Sequence, residues 1–143
     1  MSDKSMPIAG GCMCGKVRYE AEAPAWVGHC HCHLCRKHTG AAFATFLWYP
    51  NGGVTWLGEE PTVYESSPGV ERGFCPFCGS TLSFARPGRG EMNVLVGSLD
   101  DPNAVRPSEH IFAEQRCAWL RVDDGLLAHD RFPPGDEDRE IPG

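Results

Sequence analysis

Lys16, Arg18 and Glu20 alternate with Val17, Tyr19 and Ala21, which is the period of a strand with one face buried. Pro24 stops that pattern. Residues 41–49 are apolar at nearly every position, with Phe43, Phe46 and Trp48 among them, and predict a strand buried on both faces. Pro50-Asn51-Gly52-Gly53 supplies a turn. Residues 54–57 and 62–65 follow as short strands, separated by Gly58 and Pro61. Beyond the turn at 66–69, residues 70–74, 81–84, 92–96 and 110–112 complete the series, broken by a loop at 86–90 and a turn at 100–103. Helical spacing is scarce. Residues 36–40 predict one short helical turn closed by Gly40, and residues 113–120 a further turn around Trp119. About nine short strands at close spacing predict an all-β domain.

At 143 residues the chain has room for one core. Residues 1–7 read as a flexible leader and the acidic, Pro-rich stretch 133–143 as a disordered tail, leaving a single domain over residues 8–132. The formal charge of −6 argues against nucleic acid or an anionic membrane as partner, since both call for a basic surface. No apolar stretch at the start could serve as a signal-peptide core. The longest apolar run, 41–49, is far too short to cross a bilayer. A soluble, cytoplasmic protein is therefore expected.

That expectation changes what eight cysteines mean. In a reducing compartment, clustered thiols point to metal or catalysis and not to disulfides. They fall as Cys12/Cys14, Cys30/Cys32/Cys35, Cys75/Cys78 and a lone Cys117. A structural zinc usually joins two two-cysteine turns from separate parts of a fold. Cys12, Cys14, Cys75 and Cys78, each pair in a glycine-rich turn, make the natural four-thiolate site and would staple the domain. A rival allocation gives Cys75 and Cys78 to the triplet and leaves Cys12 and Cys14 unused.

The densest chemistry lies at residues 28–38, where Cys30, Cys32 and Cys35 are interleaved with His29, His31, His33 and His38. Three thiolates leave a tetrahedral zinc one ligand short. Two completions fit the spacing. His29, His31, His33, His38, His110 or Cys117 closes the site, giving a second structural zinc; or the position stays open to water or an exogenous thiol, as in catalytic sites. Residues adjacent to a ligating thiol usually point away from the metal, which weakens His31 and His33 as closers. Cys117 reads equally as a small buried hydrophobe. An open trithiolate zinc is soft and suits activation of a thiol more than hydrolysis, with a neighbouring His or water handling protons. Arg36, Lys37 and His38 are placed either to pair with carboxylates of a thiol substrate or to form a solvated loop.

Four segments together carry a family resemblance: Gly10-Gly11-Cys12-Met13-Cys14-Gly15-Lys16-Val17-Arg18-Tyr19-Glu20, Cys30-His31-Cys32-His33-Leu34-Cys35-Arg36-Lys37, Phe74-Cys75-Pro76-Phe77-Cys78-Gly79-Ser80 and Gly97-Ser98-Leu99-Asp100-Asp101-Pro102. The chain resembles the glutathione-dependent formaldehyde-activating enzymes, a family that includes the domain of centromere protein V. The resemblance implies a single β-tent-like domain of short antiparallel strands with two zinc ions. It implies Cys12, Cys14, Cys75 and Cys78 as structural ligands and Cys30, Cys32 and Cys35 as ligands of the catalytic zinc. It further implies a carbon–sulfur lyase that joins glutathione and formaldehyde as S-hydroxymethylglutathione. Asp124-Gly125-Leu126-Leu127-Ala128 departs from the proline common near the family's C-terminal aspartates, and Cys117 is an extra thiol. Two readings follow: a zinc enzyme acting on a small thiol and a small aldehyde, or a non-enzymatic module with both zincs structural that binds a protein or a thiol.

Overall fold

The computed structural model describes residues 7–135, so residues 1–6 of the expected leader and 136–143 of the expected tail lie outside the described residues. The chain folds into two sheets. In the smaller, β1 (Ile8–Gly11) and β5 (Val54–Trp56) flank β2 (Arg18–Ala21), all antiparallel. The larger has eight strands in the order β11-β10-β3-β4-β9-β8-β7-β6. These are β3 (Trp26–Cys30), β4 (Ala44–Tyr49), β6 (Thr62–Ser67), β7 (Val70–Phe74), β8 (Thr81–Arg86), β9 (Glu91–Leu95), β10 (Glu109–Ile111) and β11 (Leu127–Ala128). One short helix, α1 (His33–Thr39), follows β3. The all-β architecture of short, mainly antiparallel strands is thus present. Among the described residues no helix is long and apolar enough to cross a membrane.

The patterns that predicted strands also predict which faces are covered. Val17, Tyr19 and Ala21 are buried, while Lys16 and Glu20 face solvent. Tyr19, Leu47, Tyr49 and Val94 fill the space between the sheets, and β4 buries side chains on both faces. On the far side of the large sheet a second core gathers Cys30, Cys32, Cys35, Phe46, Phe84 and Phe112. The chemistry sits inside that second core.

Several local features differ from the sequence reading. β1 and β3 are strands where a metal-binding turn and a lead-in were expected. Glycine supplies no side chain to sustain a period, so Ile-Ala-Gly-Gly and Trp-Val-Gly-His-Cys give weak strand signals. α1 starts three residues before the expected turn, because Cys32 caps it, and ends where Gly40 adopts φ 72°. Around 113–120 a 3₁₀ turn forms at Ala113–Gln115, and a separate turn, closed by Leu120 N–H donating to the Cys117 carbonyl at 3.0 Å, carries the exposed Trp119. β10 runs parallel to β3 and to β11.

Gly28 is fixed by packing. A β-carbon there would lie 2.1 Å from the Trp26 ring, whose Nε1 donates to Glu109 Oε1 at 2.7 Å and ties β3 to β10. Gly28→Ala must displace that indole and is expected to lower stability by about 1–3 kcal/mol, as overpacking does. The urea midpoint measures it, and an unchanged midpoint would show that the ring moves freely.

Candidate functional site

Two turns bring four cysteines together. Cys12 and Cys14 lie between β1 and β2, and Cys75 and Cys78 follow β7. Their four Sγ atoms all lie within 4.8 Å of one another, a set that could hold a metal ion. The backbone is wrapped to serve the sulfurs. Val17 N–H donates to Cys12 Sγ at 3.2 Å, Phe77 N–H donates to Cys75 Sγ at 3.3 Å, and Ser80 Oγ lies 3.2 Å from Cys78 Sγ. Gly79, at φ 81°, makes the turn that lets its own N–H bond back to the Cys75 carbonyl.

A second trio forms where β3 meets α1. Cys30 ends the strand, Cys32 is the N-cap, and Cys35 lies on the helix, all three buried and mutually within 4.8 Å. Cys35 N–H donates to Cys32 Sγ at 3.4 Å, and the two sulfurs are 3.3 Å apart. Hydrogen bonding from Cys30 and Cys35 draws the Cys32 thiol well below its ordinary range, and bonding to Cys32 pushes Cys30 well above it. Three buried sulfurs, one drawn toward thiolate by the other two, are the donor chemistry a soft divalent cation fits.

None of the six candidate fourth ligands joins this trio among the described residues. The reason for two of them is the strand period. His29 and Cys30 are neighbours on β3 and therefore leave it on opposite faces. His29, His31 and His110 collect on the side away from the sulfurs, around Phe43. There His31 Nε2 lies 2.9 Å from His110 Nδ1, and His110 Nε2 lies 2.8 Å from Asp124 Oδ2. Burial, then the charge of His110, lowers His31 to about 4. His33 is exposed and bonded to Gln115. Cys117 is half-buried on a late loop, apart from both cysteine groups.

Four polar residues in the sulfur-side core escaped the sequence reading: Arg72, Arg86, Glu91 and Asn93, all buried. The Arg72 Nη1–H donates to Cys35 Sγ at 3.7 Å, and its Nε–H donates to Ser66 Oγ at 3.0 Å. Arg86 and Glu91 pair at 3.3 Å, and both guanidiniums lie against the Phe84 ring. The signal was available. Arg72 is in phase with Val70, Arg86 with Phe84, and Glu91 and Asn93 with Leu95, so each charge occupies a position where alternation demands an apolar residue.

One space touches the trio, and a second lies beyond Arg72. A small one of about 40 Å³ lies against Cys30 and Cys35, walled by Trp26, Phe46, Phe84, Phe112 and Phe132 with Arg86 at its edge. A larger one of about 400 Å³ lies between α1 and β6–β7, lined by Leu34, Lys37, His38, Tyr64, Ser66 and Arg72. A wider groove of about 680 Å³ runs past Cys12, Arg18 and Thr45 and does not include the trio.

The family model for glutathione-dependent formaldehyde-activating enzyme matches residues 7–115. A Halomonas elongata protein named "Putative glutathione-dependent formaldehyde-activating enzyme" is 31% identical over 148 aligned positions, covering 95% of this chain and 92% of that protein. An uncharacterized lyase of Schizosaccharomyces pombe is 36% identical over 78 residues, covering 53% of this chain and 56% of its own. In structure the chain is similar to a crystallised Rhodobacter sphaeroides protein, with a TM-score of 0.55, 26% identity, and coverage of 70% of this chain and 92% of that one.

His38 yields a pH prediction. Burial, then the charge of Arg72, lowers its pKa to about 4, below the value of about 6.5 expected in the unfolded chain. Between those values the unfolded state binds more protons, so stability falls as pH drops from 6.5 toward 4 and is fully present above 6.5. His38→Gln is expected to flatten this slope, by at most about 1.4 kcal/mol per pH unit. Urea midpoints of both proteins across that range check it; parallel profiles would count against the burial of His38.

Proposed function

The chain belongs to the glutathione-dependent formaldehyde-activating enzyme family, and from that premise we propose that it is a zinc-dependent carbon–sulfur lyase joining glutathione to formaldehyde. In this reading Cys12, Cys14, Cys75 and Cys78 hold a structural zinc, and Cys30, Cys32 and Cys35 hold the catalytic one. Residues 8–132 form the working domain, in a cytoplasm where the thiols stay reduced. The observation that carries the reading is the trio: three converging buried sulfurs, no fourth protein ligand among the described residues, and a small cavity against Cys30 and Cys35. The rival module with two structural zincs needs a fourth side chain on the trio, and no described residue supplies it.

Cys30, Cys32 and Cys35 would hold a zinc ion, which would supply a soft Lewis acid able to favour the thiolate form of a thiol near neutral pH. The chain's own residues do the rest. The Arg72 guanidinium, donating to Cys35 Sγ, offsets the negative charge that accumulates on the sulfurs. Trp26, Phe46, Phe112 and Phe132 give the smaller space apolar walls, which limits competing water at the reacting carbon. In the net reaction the substrate sulfur forms a bond to the carbonyl carbon, the C=O π bond opens, and the thiol proton ends on oxygen. His29 and His31 lie across the sheet from the sulfurs, so water is the proton carrier in this reading.

Glutathione and formaldehyde also combine without a catalyst, so the test is rate above that background. Exchange NMR on the equilibrating mixture is expected to show faster interconversion with the zinc-loaded protein. Cys32→Ala should return the rate to background while zinc content falls by about one equivalent of two. Fully metallated wild type that leaves the exchange rate unchanged would refute the activity.

A further inference from the structure

We infer that the cavity between α1 and β7 seats a carboxylate of the thiol substrate, with the Arg72 guanidinium as its anchor. The inference rests on the reading of the trio as a thiol-binding centre. It concerns which thiols that centre accepts.

Arg72 is buried to 3% exposure, yet among the described residues no Asp or Glu pairs with it. Its Nε and Nη1 are used, and its face lies on Phe84, but Nη2 has no hydrogen-bond partner. A buried, unpaired donor on a charged group is costly. An arginine kept in that condition is ready for an acceptor that arrives with the ligand. The fork geometry of a guanidinium suits a carboxylate best.

The surroundings fit an anion. No acidic residue among those described lines this cavity, whereas the cations Lys37 and Arg72 both do, with the neutral His38 imidazole beside them. Both His38 ring nitrogens are buried without a well-formed hydrogen bond. Lys37 is exposed at the rim, where a second anionic group could meet it. Leu34, Tyr64 and Phe74 give the cavity apolar walls against which the body of a small molecule can lie.

Position ties the cavity to the sulfurs. The same guanidinium that lines it reaches within 3.7 Å of Cys35 Sγ through Nη1. A ligand whose carboxylate meets Arg72 therefore carries its own sulfur toward the trio if thiol and carboxylate are a few bonds apart. The class is a small thiol bearing carboxylates, and neutral thiols are discriminated against by the missing anion and not by size.

The test compares two thiols on cobalt-substituted protein, with affinity read from the thiolate-to-cobalt absorption and no activity required. Arg72→Gln is expected to weaken glutathione by about tenfold or more beyond its effect on 2-mercaptoethanol, the scale of one charged hydrogen bond, because 2-mercaptoethanol loses only the counter-charge beside the sulfurs. Lys37→Gln, which leaves the buried core intact, should weaken glutathione by roughly two- to threefold, the scale of an exposed charge. Unmodified protein should bind glutathione diethyl ester less tightly than glutathione, a comparison independent of how any variant folds. Equal losses for both thiols on Arg72→Gln, or an ester that binds as well as the acid, overturn the anchor and make Arg72 only a counter-charge for the sulfurs. Absorption that neither thiol perturbs in wild type overturns the thiol reading itself, and this inference with it.

Discussion

The period of β3 governs the site. On a strand, adjacent side chains leave on opposite faces, so His29-Cys30-His31 splits into imidazoles on one side and sulfur on the other. Both faces of β3 are covered by packed side chains, and a register slip of one residue would bring histidine to the trio and sulfur to the imidazole layer. Five paired positions with β4 and three with β10 hold the register. Gly28, pressed under Trp26, permits no other packing at mid-strand. Strand geometry thus turns Cys30, and not His29, toward the trio, while the cap and first turn of α1 bring Cys32 and Cys35 to it.

Placing sulfurs inside an apolar core creates a charge problem that the same core answers. Three thiolates would leave a divalent cation bound there with a net charge of about −1. Arg72 lies against Cys35, while Arg86 is matched by Glu91, so the buried cations beside Phe84 are one paired and one turned toward sulfur. Buried charges persist when they are compensated. This accounts for a polar set on the inner faces of β7, β8 and β9 that alternation alone would assign to Val or Leu.

Much of this was legible in sequence. The alternation at 16–21 placed Val17, Tyr19 and Ala21 in the core, and the apolar run at 41–49 marked the central strand β4. The spacing of Cys12/Cys14 and Cys75/Cys78 anticipated two turns that meet in space, because short C-x-C and C-x-x-C loops restrict where sulfurs can point. β1 and β3 were hidden by glycine, which weakens every periodic signal. Adjacency to the thiols already weakened His31 and His33 as closers of the trio; that His29 and Cys30 leave β3 on opposite faces was hidden with the strand itself. Arg72 was hidden by its sequence neighbours, since Glu71-Arg72 looks like a solvated pair until one notices that Arg72 keeps step with Val70.

The two spaces near the trio differ in size and lining. The one at Cys30 and Cys35, of about 40 Å³, joins aromatic rings to the buried Arg86, Glu91 and Asn93. The one at Arg72 and His38, at about 400 Å³ with Lys37 on its rim, falls in the range of small-molecule sites. The helix that carries Cys35 and the strand that carries Arg72 lie side by side, with Lys37 and His38 on α1 facing the same cavity. The sheet therefore sets the sulfurs and the selection of their partner in a single packing arrangement, and a change in the tilt of α1 would alter both together.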